Sequence, residues 1–179
     1  MAILRPPFME VPDTKESIEQ SLKDFNIKNY TINDDLSVDV NGSVFLQLSG
    51  IGKFPVRFGK VSGNFDCSYN YLESLVGGPK EVSGHFVCSD NKLTLLEGAP
   101  KVVGGKFDCN SNHLISLVGA PEKVGGDFDC SGNNLTSLQG APKIVGADFD
   151  CSNNSKEFED KDVMEVSKVT CHIFTGIWD

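Results

Sequence analysis

The sequence predicts an α/β repeat solenoid with a parallel sheet along one face and a cap at each end. The main observation is a 21-residue period, carried by Cys67, Cys88, Cys109, Cys130 and Cys151. A phenylalanine two residues before each cysteine and an asparagine three residues after it obey the same period. A unit this short cannot bury its own apolar face, so its stability must come from stacking successive coils. Helical patterns on both sides of the repeats predict the caps.

Each repeat divides into a strand, a wall and a return segment. In "FDCSGNNLTSLQGAP", which begins at Phe128, phenylalanine and cysteine alternate as on a short strand whose apolar side chains face one interior. Asn133 is placed to turn the chain inward and to bond backbone groups of neighbouring coils. Leu135 and Leu138 are expected to cover the side of the core opposite the strand. Glycine and proline shape the segment that leads to the next coil.

These residues resemble the leucine-rich repeats, whose core pattern is L-x-x-L-x-L-x-x-N-x-L. Phe128 and Cys130 stand at the second and third leucines of that pattern. The first leucine falls on Gly125, with the apolar residue one place earlier at Val124, so the start of each strand departs from the standard repeat. The short unit also resembles bacterial effector leucine-rich repeats. The phrase F-D-C-S-x-N-x-L-x-S-L-x-G-x-P is similar to uncharacterised repeat proteins of large tailed bacteriophages. The resemblance covers residues 40–155 and implies a leucine-rich-repeat-like solenoid.

Residues 1–39 are predicted to form an N-terminal extension that includes a helical cap. Ile18, Leu22 and Phe25 recur at helical spacing before the repeats. Two residues are candidate N-caps for this helix, Asp13 and Thr14. Short alternating strands are expected to follow around an Asn33-Asp34-Asp35 turn.

A degenerate first coil is expected over residues 40–60. Shifting the repeat back by 21 residues places Val40 at the position of Val61 and Leu46 at that of Cys67. Apolar character is kept while residue identity is lost, as expected of a terminal repeat with different neighbours.

Residues 156–179 are predicted to form the C-terminal cap. The pattern indicates a short helix with Phe158, Val163 and Val166 facing inward. A single strand from Val169 to Phe174 is expected to follow it. Two further residues are expected to pack within this cap, Cys171 and Trp178.

Composition indicates one soluble domain. No apolar run among the 179 residues approaches the ~18 that a membrane span requires. The start of the chain lacks a secretory signal pattern, which predicts a cytoplasmic location, in the bacterial host if the protein is phage-encoded. The formal charge of −9, with only 16 lysines and arginines, argues against direct nucleic-acid binding.

The sequence gives little support for a catalytic site, a metal site or a cofactor site. The cysteine ladder is linear, whereas zinc prefers tetrahedral ligands, so we expect reduced, buried thiols and no metal. His85, His113 and His172 are expected at different repeat positions or outside the repeats, which implies no shared role. We therefore expect neither an enzyme nor a cofactor.

The candidate binding residues are the outward side chains of the Phe–Cys strand. Aspartate recurs between phenylalanine and cysteine, and polar residues lie two positions before and after it. The predicted partner-binding residues are Asp66, Asp108, Asp127, Asp129, Asp148, Asp150, His85 and Lys106. Crowded carboxylates repel each other and raise some pKa values unless a cation compensates. They can serve only solubility, receive a basic protein segment, mimic nucleic-acid phosphates or, as the weakest alternative, hold a divalent cation.

The functional hypothesis is a non-catalytic protein-binding module. The resemblance to phage proteins implies an accessory protein that binds and inhibits a bacterial host or anti-phage defence protein. A structural or assembly protein that self-associates or joins phage subunits is the alternative, and a solenoid-based enzyme ranks third.

Overall fold

The structure is a computed structural model that describes residues 12–176, so the prediction for Trp178 lies outside the described residues. The described helices are α1 (Lys15–Asp24) and α2 (Asp160–Met164). The described strands are β1 (Tyr30–Ile32), β2 (Val38–Val40), β3 (Val44–Phe45), β4 (Phe58–Val61), β5 (Phe65–Asp66), β6 (Glu81–Val82), β7 (Phe86–Val87), β8 (Val102–Val103), β9 (Phe107–Asp108), β10 (Lys123–Val124), β11 (Phe128–Asp129), β12 (Ile144–Val145), β13 (Phe149–Asp150), β14 (Lys168–Val169) and β15 (Ile173–Phe174).

The chain forms a parallel β-solenoid in which each coil contributes two short strands. Sheet A has the order β1-β2-β4-β6-β8-β10-β12-β14, and sheet B has the order β15-β13-β11-β9-β7-β5-β3. The prediction of one sheet on one face is therefore wrong, because the apolar residue that opens each repeat forms a strand of its own. Val124, for example, pairs with Val103 and Val145 in sheet A.

The 21-residue period sets the register of both sheets. Phe65 pairs with Phe86 in sheet B, and Val61 pairs with Val82 in sheet A. The degenerate coil obeys the same register, since Val44 pairs with Phe65. At the other end the offset changes, and the N–H of His172 reaches Asp148 across 24 residues. The sheets thus continue for one more coil after the amino-acid repeat has ended.

Columns of identical side chains fill the core between the sheets and the leucine wall. The repeated phenylalanines, cysteines and leucines are buried, as predicted. Phe86 stacks on Phe107 with ring centroids 5.3 Å apart and an interplanar angle of 9°. The first four repeated asparagines, Asn70, Asn91, Asn112 and Asn133, are buried beside them and bond backbone groups of neighbouring coils. These columns place one set of strand side chains inside and the alternate set outside.

Helix α1 lies at the N-terminal end of this core. Thr14 is its N-cap, since the Thr14 side chain accepts the N–H of Ser17 at 3.2 Å. Ile18 and Leu22 are buried in the main apolar cluster, and Phe25 packs against it. After the helix, β1 pairs antiparallel with β2 and covers the first edge of sheet A, which confirms the predicted pair of short strands.

The C-terminal segment differs from its prediction in three respects. Phe158 and Val163 are buried as expected, but Val166 is 37% exposed because it lies after the end of α2. The predicted single strand is two strands, β14 in sheet A and β15 in sheet B. Cys171 is exposed rather than packed, because it lies on the corner between them. Neither helix of residues 12–176 combines the length and apolar character needed to cross a membrane.

Candidate functional site

The candidate site is the outer face of sheet B, which carries two columns of side chains. The middle column is formed by the second residue of each sheet B strand and consists of Phe45, Asp66, Val87, Asp108, Asp129, Asp150 and Phe174. The strand register places Asp129 between Asp108 and Asp150 on adjacent strands. Val87 separates Asp66 from these three. Of the predicted site residues, Asp108, Asp129 and Asp150 are thus brought together.

Each middle-column aspartate uses one carboxylate oxygen to hold the chain where its strand ends. Oδ1 of Asp129 accepts the N–H of Ser131 at 3.1 Å and its hydroxyl at 2.6 Å. Asp108 bonds Asn110 in the same way. Such side-chain-to-backbone bonds stabilise turns. The serines two residues after this column, predicted to point outward, are instead buried at Ser68, Ser89 and Ser152.

The first column lies two residues before the middle one and consists of Ser43, Asn64, His85, Lys106, Asp127, Asp148 and His172. Several of these side chains accept the N–H of their neighbour in the next coil. Nδ1 of His85 accepts the N–H of Lys106 at 2.8 Å, and Oδ1 of Asp127 accepts the N–H of Asp148 at 3.2 Å.

His85 and His172 occupy the same column, which corrects the expectation that they share no position. His172 donates its N–H to Oδ1 of Asp148 at 2.9 Å, as Asp148 itself does to Asp127 in the preceding coil. The sequence hides this equivalence because the spacing there is 24 residues instead of 21. His113 follows a buried asparagine and lies away from this face.

Lys106 neutralises the N-terminal part of the aspartate cluster. Its Nζ lies 3.0 Å from Asp108 and 3.3 Å from Asp129. Asp108 is only 8% exposed. Burial and the charge of Asp129 raise the pKa of the Asp108 carboxyl, and the nearby Lys106 ammonium opposes that rise.

The C-terminal part of the face keeps more of its negative charge. Asp127 and Asp150 form no ion pair within residues 12–176. Nδ1 of His172 lies 3.1 Å from Asp148, and the N–H that Asp148 accepts from His172 lowers the pKa of that carboxyl.

No group in the described chain is assembled for metal binding. Residues 12–176 contain no cluster of three or more histidine, cysteine or acidic side chains that could hold a metal ion. The thiol of Cys130 donates to the carbonyl of Asp150 at 3.2 Å, and burial raises the pKa of this thiol well above its ordinary value. The ladder thiols are therefore packed, protonated groups and poor nucleophiles.

A group of exposed apolar side chains on the surface was not predicted from the sequence. Phe45, Leu48 and Tyr69 are exposed on the first coils, and Phe45 belongs to the middle column itself. An alignment of the repeats would have identified two of these side chains as unusual. Leu48 and Tyr69 stand where later coils have polar residues or glycine, namely Asp90, Ser111, Gly132 and Asn153.

Comparison of the chain with protein-family models, with curated proteins and with solved structures finds no match in any of the three.

Proposed function

We propose that the protein is a non-catalytic protein-binding module that uses the outer face of sheet B. The observation that carries the proposal is the uneven charge of this face, where Lys106 pairs with Asp108 and Asp129 while Asp127 and Asp150 have no described ionic partner. A basic protein segment is the complementary ligand, because paired positive charges relieve the repulsion among neighbouring carboxylates.

We further propose that the partner is a bacterial host or anti-phage defence protein and that binding inhibits it. The support for this step is the sequence resemblance to repeat proteins of tailed phages. The proposed location is the bacterial cytoplasm. Five unpaired buried cysteines support it, since free thiols are typical of a reducing compartment.

We also propose that the solenoid is leucine-rich-repeat-like and that its two ends are caps. The support is that Cys130, Asn133 and Leu135, which carry the resemblance, are buried together. At the ends, Leu22 of α1 and Val163 of α2 are fully buried. Replacing Leu22 with aspartate tests the cap role. We expect light scattering to show self-association, because an apolar end surface becomes exposed.

The test of the binding function is affinity capture from bacterial lysate with a neutralised sheet B face. In the variant Asp127→Asn, Asp129→Asn, Asp150→Asn, each amide keeps the Oδ1 acceptor that holds the local backbone. The matched control changes three exposed glutamates away from sheet B, as Glu73→Gln, Glu97→Gln, Glu122→Gln. Both variants raise the net charge equally, so a difference between them reports the face and not the overall charge.

We expect the native chain and the control to retain the same host protein and the sheet B variant to lose it. The captured protein is then purified and titrated, and its affinity must fall as salt concentration rises. Equal capture by all three chains would contradict the sheet B face. Capture of only further copies of this chain would favour the alternative, a self-associating assembly protein.

A further inference from the structure

The solvent side of sheet A carries a row of lysines in the later coils. One exposed lysine lies in each of four successive coils, either at the first residue of the sheet A strand or directly before it. We define the lysine stripe as Lys101, Lys123, Lys143 and Lys168. None of these four side chains forms an ion pair with a residue of the described range. The stripe therefore presents positive charge to solvent, although Glu122 lies within it.

Apolar side chains lie between these lysines. Val102, Lys123 and Ile144 form one outward column, because their strands pair in that register. Val102 is 47% exposed and Ile144 is 43% exposed. Exposed apolar side chains gain free energy when another surface covers them. The outer face of sheet A thus combines unpaired positive charge with apolar area.

The outer faces of the two sheets carry unpaired charge of opposite sign in the same coils. On sheet A, Nζ of Lys60 lies 3.0 Å from Glu81, so the unpaired positive charge begins with the lysine stripe. On sheet B, the carboxylates of Asp127 and Asp150 have no ionic partner among the described residues. Lys123 and Asp127 belong to one coil, and Lys143 and Asp150 belong to the next.

The charges on both faces also recur at the same interval, because every coil contributes a strand to each sheet. Adjacent strands of a parallel sheet lie about 4.8 Å apart. When the outer face of sheet A of one copy lies against the outer face of sheet B of another, lysines meet aspartates in successive coils. A second copy of this chain supplies that spacing automatically. The net charge of −9 opposes the contact only weakly, because physiological salt largely screens exposed charges more than about 8 Å apart.

We propose that the outer face of sheet A binds the outer face of sheet B of a second copy of this chain. The ammonium groups of the lysine stripe pair with Asp127 and Asp150, and the contact covers Val102 and Ile144. Because two different surfaces meet, the contact is head-to-tail and further copies can be added. This inference goes beyond the proposed function and is compatible with it, since the last copy of an open row keeps its sheet B face free for a partner.

The test is sedimentation equilibrium of the full chain at rising protein concentration. The sheet A variant is Lys101→Gln, Lys123→Gln, Lys143→Gln. The sheet B variant is the one used for affinity capture. The control variant changes three exposed lysines in or near α1, as Lys15→Gln, Lys23→Gln, Lys28→Gln. The control and the sheet A variant lower the net charge equally, so a difference between them reports the face and not the overall charge.

We expect the native chain and the control to gain mass equally with concentration, and each face variant to associate at least about tenfold more weakly. An equimolar mixture of the two face variants should associate again, because one supplies an intact sheet B face and the other an intact sheet A face. That mixture should stop at a pair, since each variant has only one intact face. Raised salt concentration should weaken association of the native chain.

A native chain that keeps the mass of a monomer at all concentrations would overturn the inference. Equal association of the sheet A variant and the control would also overturn it, as would a mixture of folded face variants that stays monomeric. If the sheet B variant does not fold, the sheet A variant and its control still give the answer.

Failure of this inference is distinguishable from failure of the proposed function, because the sheet A variant keeps the face that is proposed to bind the host protein. If the native chain is monomeric while host-protein capture requires the sheet B carboxylates, the self-contact is wrong and the binding function stands. If the chain associates through both faces while no host protein is captured, the self-contact stands and the binding function is wrong.

Discussion

The side-chain amide of Asn112 donates to the carbonyl oxygen of Cys88, one coil earlier, at 3.0 Å. The same amide donates to the carbonyls of Cys109 and Asn110, and its oxygen accepts the N–H of Leu93 at 3.0 Å. One buried side chain thus completes the hydrogen bonding of two coils where neither sheet can do so. Because the equivalent asparagines repeat this arrangement, the ladder is a major constraint on the stacking of the solenoid.

Replacing Asn112 with alanine should lower the free energy of unfolding by about 3 kcal/mol, because it leaves several buried backbone groups without a partner. Asn134→Ala is the control, since Asn134 is an exposed residue of the following coil. That change should stay within about 0.5 kcal/mol of the native value. Urea denaturation followed by circular dichroism measures both free energies of unfolding. Similar losses of stability in the two variants would contradict this role of the buried asparagines.

Gly119 is expected to be intolerant of alanine. It has φ 95° at the third residue of a turn in which the N–H of Ala120 bonds the carbonyl of Leu117 at 3.0 Å. A Cβ at Gly119 would also lie 2.7 Å from the carbonyl carbon of Leu96 in the preceding coil. We predict a loss of about 2–4 kcal/mol in the free energy of unfolding, from the strained turn and the enforced backbone shift.

Gly52→Ala is the matched control for that substitution. Its Cβ would meet its nearest neighbour, the carbonyl oxygen of Tyr71, at an ordinary distance of 3.8 Å, and its φ is not positive. Thermal unfolding of the two variants should therefore separate clearly. A melting temperature of Gly119→Ala equal to that of Gly52→Ala would show that the coils can move apart at little cost.

The interior of the solenoid was predictable because every coil repeats it. Phe107, Cys109 and Leu114 are buried where the 21-residue period places them. The second sheet was missed because each repeat fixes only one inward position in it, such as Val124, and a single position shows no alternation.

The outer face was less predictable than the interior. Its aspartates could be placed by the period, but nothing in the sequence shows that Lys106 bridges Asp108 and Asp129. The match between His172 and Asp148 was missed for a different reason. The last coil is longer, so a fixed period cannot align it, whereas backbone hydrogen bonding can.

The pKa values of two carboxyls on the face should shift in opposite directions. Burial raises the pKa of Asp108 above its ordinary value of 3.8, and the N–H of His172 lowers the pKa of Asp148 below that value. Carbon-detected NMR titration of the aspartate side chains measures both. Lys106→Met should raise the pKa of Asp108 further, because the ammonium that favours its charged form is removed.

Each shift has a definite consequence for stability. The ionised form of Asp108 is disfavoured in the fold, so its contribution to stability rises as the pH falls from its raised pKa toward 3.8. The contribution of Asp148 is fully present above pH 3.8 and is lost as the pH falls through its lowered pKa. An Asp108 carboxyl that titrates below that of Asp148 would contradict the described geometry.

The six cysteines should divide into one reactive thiol and five protected ones in the folded chain. Cys171 is exposed, whereas the five ladder cysteines are buried. Burial raises the pKa of Cys151 to about 12, and the thiolate is the reactive form. Titration with an aromatic disulfide reagent should release about one equivalent from the native chain and about six after denaturation in guanidinium. Cys171→Ser is the control, and its native release should fall to near zero. Rapid release of more than one equivalent from the native chain would show that the coils open and that the cysteine column is not the closed core described above.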